Sequence, residues 1–230
     1  MSIDFNKLPT PCYVVDETLL EKNLQLLDSV QQRTGCSILL ALKGFSMFSE
    51  FPLVGKYLKG ITSSSLNEAR LGYEEMGKEV HIYAPAYIEK EFDDILKYCD
   101  HIVFNSFDQW KQFKSNVQAY EGKRIECGIR INPEYSEIKT PIYDPCFANS
   151  RLGVTLANFR PDELDGIDGL HFHTMCEQNS DTLARTIQVA EEKFGEYFKR
   201  MKWLNLGGGH HITRPDYDID TLVRSILYLK

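Results

Sequence analysis

Apolar residues along this chain come in short runs at a nearly regular interval. Seven runs have strand length, at residues 37–42, 60–63, 80–84, 101–104, 124–131, 169–173 and 202–206. Short apolar runs bounded by turn signals fit strands buried on both faces. Between most of them the period changes to that of a helix. The first helix is predicted from Leu20, Leu24, Leu27 and Val30, which share one face, with Asp16 as N-cap and Gly35 at the C-terminal end. A second starts at Ser65, where Glu68 completes an S-x-x-E capping box and Gly77 follows the last turn. Further helical patterns cover 107–120, 181–200 and 218–230.

Strands that alternate with helices make βα units and a parallel sheet. The tight early spacing favours a (β/α)₈ TIM-type barrel, with a doubly wound open sheet as the alternative. A closed barrel needs eight strands, and the pattern supplies about seven units before the last helical stretch, DIDTLVRSILYLK, reaches Lys230. The expectation is an incomplete barrel occupying residues 1–230 as one domain. No repeat, low-complexity tract or linker divides it.

Composition narrows the class. Hydrophobic residues make up 43% and charged residues 26%, an ordinary globular balance. No stretch approaches the ~18 uninterrupted apolar residues of a membrane span. The N-terminal MSIDFNKLPTP lacks the basic and apolar regions of a secretory signal. A formal charge of −7 argues against nucleic acid as a partner and is compatible with a small cationic substrate. The six cysteines, Cys12, Cys36, Cys99, Cys127, Cys146 and Cys176, include no CxxC pair and read as reduced thiols of a cytoplasmic protein.

Chemistry in barrels and open α/β sheets collects at the C-terminal ends of strands. The first run ends in Lys43 and the second in three serines with Glu68 beyond; the fifth carries Arg130 and Asn132. The sixth ends in HFHTMCEQ (171–178) and the seventh in LNLGGGHH (204–211). Gly207, Gly208 and Gly209 can present bare N–H groups to a phosphate. They could equally form a plain tight turn, and they lack G-x-G-x-x-G spacing.

His171 and His173, two apart, face one side of a strand. One could stack on a flat ligand, both could bind a metal, or either could be a core residue. A metal would need more ligands, from Glu177, His210 or His211, and no spacing compels them, so none is assigned. Lys43 could snorkel to solvent, or sit desolvated in a cavity where its free amine attacks a carbonyl. Taken together, an imine-forming lysine, a flat-stacking histidine and a phosphate cradle suit pyridoxal phosphate, which has an aldehyde, a planar ring and a phosphate.

The stretches TPCYVVDE (10–17), ALKGFS (41–46), SSSLNE (63–68), RINPEYS (130–136), SRLGV (150–154), GLHFHTMCEQ (169–178) and LNLGGGHHITRPDYD (204–218) cover nearly the whole chain. In their order and spacing the chain resembles the alanine-racemase-like, fold type III pyridoxal-phosphate decarboxylases. Within that family the likeness is greatest to the carboxynorspermidine/carboxyspermidine decarboxylases of polyamine biosynthesis.

The resemblance implies a Schiff base on Lys43 and a cofactor ring stacked on His173, these two being the catalytic residues. It implies a phosphate on Gly207, Gly208 and Gly209, and Arg130 near the cofactor with Glu68 paired to it. Cys176 stands where relatives often carry a phosphate-contacting serine; Arg151, Glu177 and His210 are expected around the substrate. It also implies a homodimer, a further strand and a C-terminal β-domain not present in this chain, and hence weak activity for these residues alone. A single-domain pyridoxal-phosphate-binding protein of the same fold, serving vitamin homeostasis, is the alternative.

Overall fold

Each predicted apolar run becomes a strand in the computed structural model, which describes residues 4–230. These are β1 (Leu39–Ala41), β2 (Gly60–Ser63), β3 (Glu79–Tyr83), β4 (His101–Phe104), β5 (Glu126–Arg130), β6 (Gly169–His171) and β7 (Trp203–Asn205). Some are shorter than the runs that announced them, because the chain leaves the ladder where the loops begin. All six neighbouring pairs are parallel, and the spatial order is the chain order. A doubly wound sheet must reverse its strand order at some point; this one does not.

The sheet curls. In a flat sheet, strands three apart would lie roughly 14 Å from each other. Here the His101 ring of β4 is 5.5 Å from Trp203 of β7, and Tyr83 of β3 is 5.6 Å from His171 of β6. Among the described residues β1 and β7 share no ladder. The architecture is therefore an incomplete TIM-type barrel.

The helices are α1 (Glu17–Thr34), α2 (Phe51–Tyr57), α3 (Leu66–Glu75), α4 (Glu89–Tyr98), α5 (Phe107–Ala119), α6 (Ser180–Phe198) and α7 (Ile219–Tyr228). Asp16 caps α1 by accepting from the Leu19 N–H at 3.1 Å, and Gly35 ends it with φ 64°. The last helix packs on both α6 and α1, where Asp220 pairs with Arg33. None of the described helices is long and apolar enough to cross a membrane. All six cysteines are unpaired.

The outer face of the sheet makes the core. Ile61, Val80, Ile82, Ile102, Phe104, Ile129 and Leu170 are all buried, and Phe92, Trp110 and Phe113 cover them from α4 and α5. Each such side chain removed from water contributes about 1.5–3 kcal/mol. The inner face is different. Where a TIM barrel usually stacks Val, Ile and Leu, β3 points Glu79, His81 and Tyr83 inward, β4 His101, β5 Glu126 and Arg130, and β6 His171. Trp203 fills the space between β5 and β6. A Cβ on Gly169 would lie 2.1 Å from its indole and one on Gly128 2.3 Å, so only glycines admit that ring.

Candidate active site at the barrel mouth

Lys43 follows β1 by two residues, in a turn closed by the Gly44 and Phe45 N–H groups donating to the Ala41 carbonyl at 2.9 and 3.2 Å. Leu42 is buried there and Lys43 is exposed. The enclosed, desolvated lysine considered from sequence is thus not what this fold provides, because the turn lies beyond the strand end where the mouth opens to water. The Lys43 charge still reaches the centre of the mouth, where it opposes protonation of His171 and His173.

Arg130 ends β5 and is 4% exposed. Its Nη2 donates to the His173 carbonyl at 3.1 Å, and its guanidinium lies 4.8 Å from the Tyr83 ring centroid. The Tyr83 hydroxyl donates to Asn105 Oδ1 at 2.7 Å. That oxygen also accepts from the Gly153 N–H at 2.9 Å, while Asn105 Nδ2 donates to the Arg151 carbonyl at 2.8 Å. Four strand ends and the 150–153 loop are joined through these contacts. The Arg151 side chain is exposed.

Glu68 does not pair with Arg130. Its Oε2 accepts from the Ser64 N–H at 2.6 Å, and Ser65 Oγ accepts from the Glu68 N–H at 3.3 Å. The start of α3 claims this carboxylate, through its unpaired donors and the positive end of its dipole.

His173 Nδ1 accepts from the Gly208 N–H at 3.0 Å. Burial, helped by the charges of Arg130 and Lys43, pushes its pKa down to about 4. The ring is neutral at pH 7 and carries its proton on Nε2. The glycine turn lies directly against the backbone leaving β6. Gly207 and Gly209 have φ of 73° and 91°, and a Cβ on Gly209 would sit 2.2 Å from the Met175 carbonyl oxygen. The Gly207 N–H donates to Asn205 Oδ1 at 2.9 Å and that of Gly208 to His173. This leaves the N–H groups of Gly209 and His210 without a protein acceptor among the described residues.

Cys176 lies beside Gly209 with its thiol free and exposed. Glu177 is exposed at φ 54°, its carboxylate 3.8 Å from His211 Nε2. His210 turns its Nδ1 to the Tyr217 hydroxyl at 2.7 Å. The fold therefore brings Lys43, Arg130, His173, the glycine turn and His210 to one mouth, and leaves Arg151, Cys176 and Glu177 exposed in the loops around it.

Sequence reasoning missed Tyr83 and Asn105, and left His171 open between ligand and core. Tyr83 ends an apolar run and reads as core; only its period-2 alignment with Glu79 and His81 marks an inward face. His171 stands in register with Arg130, both ring nitrogens sealed from solvent and without a hydrogen-bond partner. The candidate metal ligands do not assemble. The described cluster with ligand atoms within 4.8 Å is Glu79, His81 and His101, towards the opposite end of the strands. Those two imidazoles are stacked at 3.9 Å with 12° between planes, so their in-plane lone pairs run side by side and do not converge on one ion.

The segment leaving β5 is anchored to α6. Arg185 grips Glu137 with Nε and Nη2 at 2.5 and 2.8 Å, and Tyr135 and Thr182 hydroxyls add to it. The Arg185 guanidinium holds the Glu137 carboxyl down to about 2, against 4.5 for a free side chain. A depressed carboxyl stabilises the fold above its unfolded pKa and loses that contribution as pH falls through the folded value. Glu137→Gln is expected to lower Tm at pH 7, with the gap to wild type closing between pH ~4.5 and ~2. Thermal melts of both proteins across that range check it.

No family model matches the chain. It is 43% identical over 219 residues to the carboxynorspermidine/carboxyspermidine decarboxylase of Campylobacter jejuni, covering 95% of this chain and 56% of that protein. It is 42% identical over 221 residues to the carboxyaminopropylagmatine decarboxylase of Synechocystis, covering 96% and 56%. The crystal structure of Campylobacter jejuni carboxynorspermidine decarboxylase complexed with norspermidine superposes with a TM-score of 0.86 at 41% identity, over 96% of this chain and 56% of that one. Diaminopimelate decarboxylase of Helicobacter pylori shares the fold, with a TM-score of 0.77 at 18% identity over 98% of this chain and 61% of that one. The chain spans a little over half the length of the curated relatives it matches. Over nearly all of its own residues, by sequence and by barrel, the chain is similar to the carboxynorspermidine/carboxyspermidine decarboxylases, and it shares its fold with the diaminopimelate decarboxylases.

Proposed function

We propose that this barrel carries the lysine side of a pyridoxal-phosphate decarboxylase site for a carboxylated polyamine, carboxynorspermidine or carboxyspermidine, releasing norspermidine or spermidine. What supports the reading is the meeting of Lys43, Arg130, neutral His173 and the glycine turn at one mouth, in a chain 43% identical to an enzyme so named.

The residues fit the cofactor. The turn at Gly207 and Gly209 has no room for a Cβ, yet leaves two adjacent N–H groups, of Gly209 and His210, for a phosphate oxygen. Pyridoxal phosphate, when bound, supplies an aldehyde for an amine and an electron sink for the pair left on Cα as carbon dioxide departs. The chain's own part is placement. Lys43 offers the amine. Gly208 fixes the His173 ring by its hydrogen bond, and burial keeps that ring uncharged, so that it presents a flat neutral face. Arg130, braced by Tyr83, puts a fixed positive charge beside it. Such pre-set charges lower a barrier because nothing must reorganise during the reaction.

Incubation with pyridoxal phosphate, borohydride reduction and peptide mapping test this. One reduced adduct, on Lys43, is expected. A folded chain with no adduct, or with label spread over surface lysines, overturns the reading.

A further inference from the structure

His210 is held through both its backbone and its ring. The Gly209 carbonyl accepts from the Gln178 N–H at 2.9 Å, and the His211 N–H donates to the Gln178 carbonyl at 3.2 Å, so the chain around His210 is bridged to the segment leaving β6. Its Nδ1 lies 2.7 Å from the hydroxyl of Tyr217, which is 6% exposed. Burial pushes the phenol pKa up and the imidazole down to about 4, so both groups are neutral at pH 7.

A neutral pair can place its protons in two ways. With the proton on Nδ1, the imidazole donates to the phenol, whose own O–H then needs a second acceptor. Among the described residues the Tyr217 hydroxyl has no partner but His210. With the phenol donating to Nδ1, both groups are satisfied and the imidazole proton sits on Nε2. Buried donors left without acceptors are costly, which selects the second arrangement. Nε2 itself has no protein partner and is not sealed from solvent. It belongs to the residue whose backbone N–H, with that of Gly209, is free at the glycine turn. His210 is also near enough to His173 to oppose its protonation.

We infer that Tyr217 is a positioning residue: by donating to Nδ1 it fixes His210 as the Nε2–H tautomer, giving the glycine turn a third, neutral donor for a phosphate oxygen. Tyr217 acts through His210 and does not itself touch the ligand. The inference rests on the proposed cofactor reading and deepens it, because it assigns His210 to the phosphate and not to the substrate.

The test uses protein labelled with ¹⁵N-histidine and long-range proton–nitrogen correlation spectra, with the His210 signals assigned through His210→Gln. Wild type is expected to show the Nε2–H tautomer, and inorganic phosphate to move the His210 Nε2 resonance. In Tyr217→Phe both tautomers are expected. Affinity for pyridoxal phosphate is expected to fall about 10-fold, the loss of one hydrogen bond to a charged group, while pyridoxal, which lacks the phosphate, binds as before. An Nδ1–H tautomer in wild type overturns the inference. So does a Tyr217→Phe protein that loses pyridoxal and pyridoxal phosphate affinity equally. Should that variant fail to fold, the wild-type tautomer and its response to inorganic phosphate decide alone. A missing borohydride adduct on Lys43 rejects the cofactor reading, whereas the tautomer and the phosphate response judge Tyr217 without Lys43.

Discussion

Lys43→Met is expected to abolish the reducible adduct with pyridoxal phosphate and to weaken its binding on the order of 100-fold, about 2.7 kcal/mol. The fold should hardly notice. Lys43 is exposed in a surface turn, and substitutions at such sites shift stability by about 0.5 kcal/mol or less. Neither a guanidinium nor a thioether forms a reducible imine with the aldehyde, so Lys43→Arg should lose the adduct as completely as Lys43→Met does. A guanidinium keeps the charge but is not a nucleophile near pH 7. The two variants should differ at His173. Burial is the main reason its pKa lies low, with Arg130 next and Lys43 after it. Removing the Lys43 charge eases protonation of His173, so its pKa should rise in Lys43→Met and stay put in Lys43→Arg. Absorbance titration with the cofactor, mass mapping and a histidine titration by NMR check the three statements. A Lys43→Met protein that still gives one discrete adduct elsewhere in the mouth would move the covalent role to another lysine.

What could be read from the chain beforehand follows the strength of each local signal. The seven strands were legible because strands buried on both faces are nearly continuous apolar runs. The caps of α1 and α3 were legible because Asp16, Gly35 and the Ser65–Glu68 pair have few other uses in that order. Two helices escaped. In α2 a proline opens seven residues and Gly55 interrupts them. In α4 the buried stripe of Phe92, Ile95 and Leu96 sits among acidic and basic residues with no side-chain cap to mark its start.

At the mouth, residues with distinctive chemistry were found and their supports were not. Lys43, Arg130, His173 and the three glycines stand out by type and place. Tyr83 acts by touching Arg130, Asn105 by touching Tyr83, and Tyr217 by touching His210, and contact between separate strand ends has no one-dimensional signature. The Glu68–Arg130 pairing failed for the converse reason. The capping box was read correctly from the sequence, and a carboxylate engaged at a helix start is not available elsewhere. The polar inner face was hidden as well, because His81 and His101 lie within runs that read as ordinary strands.

Gly209→Ala is expected to be the most damaging single methyl group in the mouth, and Gly208→Ala, one residue away, nearly silent. Gly209 has φ 91°, where an L-residue is strained, and its new Cβ would lie 2.2 Å from the Met175 oxygen and 2.5 Å from the Met175 carbonyl carbon. Both are backbone atoms and cannot rotate aside, so either the glycine turn or the segment leaving β6 must move. Positive φ alone costs about 1–2 kcal/mol, and the overlap should bring the total to about 2–5 kcal/mol. At Gly208 the backbone is ordinary and a Cβ meets only His173 Cε1, at 3.9 Å. Its change should stay within about 0.5 kcal/mol. Urea denaturation of the two variants measures this. Because the displaced segment carries the Gly209 and His210 N–H groups, Gly209→Ala should also lose pyridoxal phosphate more than pyridoxal, whereas Gly208→Ala should keep the wild-type preference. Equal stability and equal preference in the two variants would mean that the turn is free to relax, and a turn that relaxes at no cost cannot be the preset cradle on which the phosphate assignment depends.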